Sequence, residues 1–238
     1  MKLIINTAVF ADDINAGKSQ LEVLKRFSDL KIKVTGIQVR QEMFHGNWEG
    51  ELRQIRKLCD QNNWNLFLSI PQGLLEKGRL NAGIRTAVKL ADRFKVDELK
   101  FSCGNLRQLT DHIIRQIQEI DLKQIAFDIE NEPNPNGRLP VIKQGLEKLR
   151  ATNIGFCFDS GNWRWISENS DRAFDELYDF IHVFHLKNIK HKQTVPLDQP
   201  GEYDWRSMIN ACGNQIPVVV EYAIPWENLR TELANLKY

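Results

Sequence analysis

The stretch KQIAFDIENEPNPNGRLPVIKQGLEKLRATNIGFCFD, residues 123–159, sets the reading of the whole chain. It opens on a short apolar run (123–130, KQIAFDIE), continues with a segment of helical period (139–151) and closes on a second apolar run (154–159, IGFCFD). Short apolar or β-branched runs of this length read as strands, and apolar residues three and four apart read as one face of a helix. Strand, helix, strand is the unit that joins parallel strands by a right-handed crossover.

Working outward in both directions, the same alternation runs along the chain. Further strands are expected at 2–8, 32–40, 64–70, 97–102, 181–187 and 216–222. Helices are expected at about 18–29, 49–62, 79–94, 105–119, 170–178, 204–212 and 225–236. Asn105 is placed to cap the fourth helix and Asp204 the seventh, and Pro225 suits a first helical turn. Eight strands alternating with eight helices predict an α/β fold, a single (β/α)8 TIM barrel over residues 1–238. The rival, a doubly wound open sheet, usually carries a Gly-rich phosphate loop after an early strand. Neither G-x-G-x-x-G nor G-x-x-x-x-G-K-[ST] occurs in the sequence. The longest loop-like stretch, NIKHKQTVPLDQPGEY (188–203), would be a substrate loop on a barrel.

Composition sets the class. The chain has 238 residues, 42% of them hydrophobic, which is enough for one large core. A formal net charge of +1 gives no general pull toward nucleic acid or a membrane surface. No stretch approaches the roughly 20 apolar residues of a membrane span. Cysteines at 59, 103, 157 and 212 show no C-x-x-C spacing and read as reduced thiols. The start, MKLIINTAVFADD, has one Lys and an apolar run too short for a signal peptide, so a cytoplasmic protein is expected.

Four late strands end in a ligand-type residue: Glu130, Asp159, His185 and Glu221. In a barrel these ends converge on one mouth. Two glutamates, an aspartate and a histidine make a hard, mostly oxygen donor set for one divalent ion, Mn²⁺ foremost, with Mg²⁺, Co²⁺ or Zn²⁺ as alternatives. Three carboxylates crowded together repel unless a cation lies among them. Any one of these residues alone reads more often as a helix cap or salt-bridge partner; four on successive strands with this ligand mix are less easily explained that way. Arg40, at the end of strand 2, is a candidate for a phosphate or carboxylate, or for a rim salt bridge. Lys187, two residues past His185, points the same way and either faces substrate or neutralises Asp159. Asn131 and Asn162 are candidates to orient ligands. Trp163 and Trp165 read first as ordinary packing residues and second as an apolar wall at the mouth, and His191 sits in the long loop, within reach of the mouth. His45 and His112 read as surface or loop histidines. Asp128 shares parity with Glu130 and is expected inside the barrel one layer down, with Lys100 as its partner, unless a bulge turns it outward.

At these residues the chain resembles the xylose-isomerase-like barrel superfamily of sugar isomerases and epimerases. The segments that carry the resemblance are FDIEN (127–131), FDSGNW (158–163), HVFHLKN (182–188), PGEYDW (200–205) and VVVEY (218–222), with VRQEMF (39–44) at the second strand. The resemblance implies one metal held by Glu130, Asp159, His185 and Glu221. It implies a sugar, sugar phosphate or keto-sugar as substrate and proton transfer next to its carbonyl through a metal-stabilised enediolate. Glu130 and Glu221 then carry both ligand and acid–base roles. Return of the proton to the same carbon is epimerisation, and return to its neighbour is isomerisation. Arg40, Lys187, Asn162, His191 and Trp163 are the corresponding substrate-binding candidates. Two positions depart from the family: relatives often have histidine at Asn162 and aspartate at Asn188, which favours a one-metal over a multi-zinc site. Barrel enzymes often pair, so a homodimer is within expectation. An abasic-site endonuclease shares the barrel but uses a zinc cluster with many histidines, whereas this chain has five and a net charge of only +1. A non-catalytic sugar-binding or regulatory barrel is the reading from a different class.

Overall fold

Eight parallel strands close into a barrel in the computed structural model, which describes residues 1–236. They are β1 (Leu3–Asn6), β2 (Gly36–Arg40), β3 (Asn65–Gly73), β4 (Glu98–Ser102), β5 (Ala126–Glu130), β6 (Ile154–Asp159), β7 (Ile181–Leu186) and β8 (Val218–Val220). Their order around the barrel follows the sequence, and β8 closes on β1 through Leu3–Val218, Ile4–Val219 and Ile5–Val220. The helices of the outer ring are α1 (Gln20–Asp29), α2 (Trp48–Asn62), α3 (Ile84–Arg93), α4 (Asp111–Gln118), α5 (Leu139–Leu149), α6 (Ser170–Leu177), α7 (Trp205–Cys212) and α8 (Leu229–Ala234).

The two-residue period of a strand separates core from chemistry. On β5, Phe127 and Ile129 belong to the large apolar core beneath the helices, and Asp128 and Glu130 take the other face. The lumen holds a small apolar plug of Ile4, Phe67, Cys157, Val183 and Val219. Burying a large apolar side chain contributes roughly 1.5–3 kcal/mol, so the outer layer fixes the strands and leaves the inner face free for polar groups. Helix ends follow local rules. Ser19 and Glu22 form a reciprocal capping box on α1. Asn47 caps α2, which stops at Asn63 in the left-handed region (φ 54°).

Several local expectations change. Residues 75–80 form a small antiparallel hairpin, Leu75–Glu76 with Arg79–Leu80, so the helix expected from residue 79 starts at Ile84. The helix expected at 105–119 divides, because Leu109 adopts extended backbone. Asn105 therefore caps a 3₁₀ turn at Leu106–Gln108, while Thr110 caps α4. Asp204 accepts from the Ser207 amide at the start of α7, as its position suggests. Pro225 precedes α8 rather than opening it. Strand β8 stops at Val220, which puts Glu221 first in the following loop. Within 188–203, Ile189–Lys190 pairs with Gln193–Thr194 across His191 and Lys192, whose positive φ values (51° and 56°) suit a two-residue hairpin turn.

One irregularity shapes the lumen. Between β6 and β7 the pairing shifts from Phe156–Ile181 to Cys157–Val183, so His182 is the extra residue of a bulge. All four cysteines are free and buried. Among the described residues, no helix is long and apolar enough to cross a membrane.

Candidate functional site

Glu130 and Asp159 end β5 and β6, His185 lies near the end of β7, and Glu221 follows β8. The barrel brings them together: one ligand atom from each lies within 4.8 Å of the others, and all four side chains are buried. His185 Nδ1 is central, 2.9 Å from Glu130 Oε1 and 3.1 Å from Glu221 Oε2.

The FDIEN and FDSGN segments hold each other. Asn131 accepts from the Asp159 amide at 2.8 Å and donates to the Asp159 carbonyl at 3.1 Å. Asn162 donates to the Asn131 carbonyl at 2.8 Å. Asp159 Oδ1 accepts from the backbone amides of Gly161 and Asn162, both at 2.9 Å. The aspartate is thereby fixed before any ligand arrives. Ser160 Oγ lies 2.9 Å from Tyr203 Oη, which ties this turn to the end of the long loop.

Each carboxylate also meets a cation. Lys187 Nζ lies 2.5 Å from Asp159 Oδ2 and 2.9 Å from Glu221 Oε2. Lys100 pairs with Glu130, and Arg40 pairs with Glu221 while its Nε donates to Glu42 at 2.6 Å. Asn6 adds a hydrogen bond to Glu221 Oε1 at 3.1 Å. Lys187 thus neutralises Asp159, one of its two expected roles, and three long basic side chains reach in and balance three acidic ones, so the protein itself relieves the carboxylate repulsion.

The ion pairs set the protonation states. Burial favours the neutral form of Glu130, but Lys100 beside it outweighs that and holds its pKa far below the usual carboxylate range. Burial likewise opposes ionisation of Glu221, and Lys187 and His185 overcome it. For Asp159 burial wins: together with Glu130 and Glu221 it overcomes Lys187 and pushes the carboxyl up to about 6. Burial disfavours charge on His185, yet its anionic surroundings raise its pKa. Cys157 lies beneath the imidazole, but burial pushes its thiol upward and keeps it protonated, so Glu221 and Glu130 are the partners that matter. Burial works against the charges of Lys100, Lys187 and Arg40, and their carboxylate partners outweigh it in every case.

The donor set fits a divalent cation. Three carboxylates and an imidazole nitrogen gather at the ends of four successive strands, Glu221 from the residue just past β8, a mix that suits a hard or borderline ion. Such an ion and the Lys187 ammonium would compete for Asp159 Oδ2 and Glu221 Oε2.

The other predicted residues are distributed more widely. Trp163 is fully buried and packs on Phe158, with ring centroids 5.6 Å apart, so its faces serve the core rather than the mouth. Trp165 is 39% exposed. His191 occupies the hairpin tip with its side chain 83% exposed, and its amide donates to Glu202 at 2.6 Å; it stands outside the cluster. His45 and His112 are exposed. Asn188 is buried and staples the long loop, donating to the carbonyls of Pro196 at 2.8 Å and Gln199 at 2.9 Å. Asp128 is buried below Glu130, but its partner is His182, at 3.3 Å, and not Lys100, which reaches up to Glu130. The bulge falls on β7 and turns His182 in. Gly155 makes room for this pair: a Cβ there would lie 1.8 Å from His182 Nδ1 and 2.1 Å from Asp128 Oδ1.

Sequence reasoning missed a polar layer beneath the cluster. Asn6 donates to Gln38 at 2.6 Å, and Gln38 donates to the buried Glu98 at 3.4 Å. Burial and the nearby Asp128 raise the pKa of Glu98 well above the ordinary value. The signal was present as a polar residue at inward parity within IIN, GIQVR and ELK.

No protein-family model matches the sequence, and no curated protein matches it significantly. Solved structures do match. The probable 3-DHS dehydratase AsbF of Bacillus anthracis superposes with a TM-score of 0.71 at 17% identity, over 99% of this chain and 98% of that one. D-psicose 3-epimerase from Clostridium cellulolyticum H10 gives 0.64 at 9% identity, over 100% and 90%. The IolI protein with a bound zinc atom gives 0.62 at 14% identity, over 99% and 94%. Identities this low speak for architecture alone, and with the closed eight-stranded barrel they give the chain the xylose-isomerase-like TIM-barrel fold.

Proposed function

We propose that the chain is a divalent-metal-dependent isomerase or epimerase that moves a proton next to the carbonyl of a sugar-like, polyhydroxylated substrate. The observation that carries the reading is the buried cluster of Glu130, Asp159, His185 and Glu221 around one point at the barrel mouth. The epimerase among the structural neighbours, and the zinc in another, support it.

Glu130, Asp159, His185 and Glu221 would hold the ion, Mn²⁺ foremost. When bound, a divalent cation supplies Lewis-acid stabilisation of negative charge developing on substrate oxygen. The chain's own groups do the rest. Glu130 and Glu221 are held ionised, the form that accepts a proton. Both approach His185 Nδ1, at 2.9 and 3.1 Å, and in this scheme one removes a proton and the other returns it. Asn131 and Asn162 keep Asp159 in place during the exchange. Lys187 and Arg40 line the mouth as the substrate's polar contacts.

A screen of aldoses, ketoses and their phosphates with Mn²⁺ in D₂O tests the reading: a substrate takes up deuterium at the exchanging carbon. A Glu221→Gln variant that kept full turnover with metal bound would overturn the two-glutamate scheme. One observation favours a second reading. Because Arg40, Lys100 and Lys187 already balance the carboxylates, a non-catalytic barrel that binds a polyhydroxylated ligand needs no metal. Failure to take up Mn²⁺ after purification would select it.

A further inference from the structure

The charge count at the mouth constrains what binds there. Glu130, Asp159 and Glu221 contribute three negative charges, Lys100, Lys187 and Arg40 contribute three positive ones in direct contact with them, and Glu42, paired with Arg40 at the rim, adds a fourth negative charge. With His185 neutral as a metal ligand, these side chains sum to minus one. A divalent ion held by the same residues leaves an excess of one positive charge, while the four ligands themselves lie buried. Uncompensated charge in a low-dielectric interior is costly, so a ligand that brings negative charge is favoured over a neutral one of the same shape.

The same residues indicate where that charge lies. The Lys100 side chain is only 3% exposed, whereas Lys187 is 17% and Arg40 23% exposed, so the last two are the cations a ligand can reach. Both keep donors to offer. Lys187 has three N–H groups for two carboxylate partners, and among the described residues no acceptor pairs with Arg40 Nη2. Both touch the ligand carboxylates themselves, Asp159 and Glu221. The negative group therefore sits beside the reacting carbonyl and not at the far end of the molecule.

We infer that the substrate is an acid: a small keto- or hydroxy-acid of sugar type, whose carboxylate lies one or two carbons from the reacting carbonyl and is met by Arg40 and Lys187. This rests on the metal-dependent reading above.

The test compares three ligands by calorimetry on the full chain: 2-keto-D-gluconate, D-fructose, which differs from it only at the first carbon, and D-fructose 6-phosphate, whose charge is distal. Mn²⁺ alone is titrated first. The expected result is Mn²⁺ binding, then 2-keto-D-gluconate bound about tenfold or more tightly than either comparison ligand. The preference shrinks without metal. It also falls by about tenfold in Lys187→Gln and in Arg40→Gln, each checked for folding by its melting curve, and either variant suffices if the other fails to fold. If Mn²⁺ binds but D-fructose binds as well as the acid, or none of the three binds, the inference is wrong and the metal reading stands. Preference for D-fructose 6-phosphate overturns the placement of the charge. If Mn²⁺ does not bind, the functional reading falls and takes the inference with it.

Discussion

Replacing Gly155 with alanine probes the barrel floor without involving a ligand. The added Cβ would lie 1.8 Å from His182 Nδ1 and 2.1 Å from Asp128 Oδ1, far inside van der Waals contact. His182 is 58% exposed and can swing away, but the Asp128 side chain is fully buried and has little room. Two effects follow. Forcing a methyl group into a filled site typically costs about 1–3 kcal/mol. Separating His182 from Asp128 leaves a buried carboxylate short of a partner, for about 1–3 kcal/mol more. Reduced freedom of the unfolded chain returns about 0.4–1 kcal/mol. The two costs overlap, because they share His182, so the expected net loss is about 2–3 kcal/mol. Urea unfolding followed by fluorescence measures it, with the same substitution made in a His182→Ala background. There the first clash is gone, and the loss is expected to shrink by about 1 kcal/mol. A Gly155→Ala protein within about 0.5 kcal/mol of wild type would refute the reasoning, because it would mean the floor yields freely.

Three further outcomes are expected. Lys100→Met removes the ammonium partner of buried Glu130 and leaves it His185 alone, so the metal-free protein loses up to about 3–5 kcal/mol at neutral pH, and less as falling pH protonates the glutamate; unfolding across pH 4–7 checks this. Beside Asp128 the His182 pKa is raised, so its contribution is fully present below the unfolded value near 6.5 and fades as pH rises through the folded value; the difference between wild type and His182→Gln across pH 5–8 measures it. Glu232 Oε1 accepts from the Leu197 amide at 2.6 Å and from Tyr222 Oη at 2.5 Å, so Glu232→Ala unpins the long loop, and hydrogen exchange at Leu197 quickens while barrel strands keep their protection.

The barrel was legible because its strands differ in period from its helices, and because each late strand closes on a polar residue after an apolar run. Glu130, Asp159 and His185 could be grouped on that ground alone, and Glu221 joined them although it lies one residue beyond β8. What surrounds them was less legible. Lys100 stands across the sheet from Asp128 yet turns to Glu130, since a long flexible side chain chooses its partner by reach and not by register. His182 reaches the lumen through a bulge, and a bulge breaks the alternation from which facing is read. Trp163 follows a strand end, where an aromatic suits a core or a wall, and only three-dimensional packing assigns it to the core. The hairpin at 75–80 is too short to have a period, so its residues merged with the helix beyond.

The four thiols give this barrel a built-in clock. Cys59 lies in α2, Cys103 just past β4, Cys157 in the lumen and Cys212 at the end of α7, each at most 2% exposed. Burial pushes Cys59 and Cys212 up to about 12 and raises Cys103 and Cys157 as well, so the folded chain offers alkylating reagents almost no thiolate. Reaction at each sulfur then records how often its own segment opens. Shell, rim and lumen can be timed separately in one unlabelled protein, and the order of modification shows which part of the barrel lets go first.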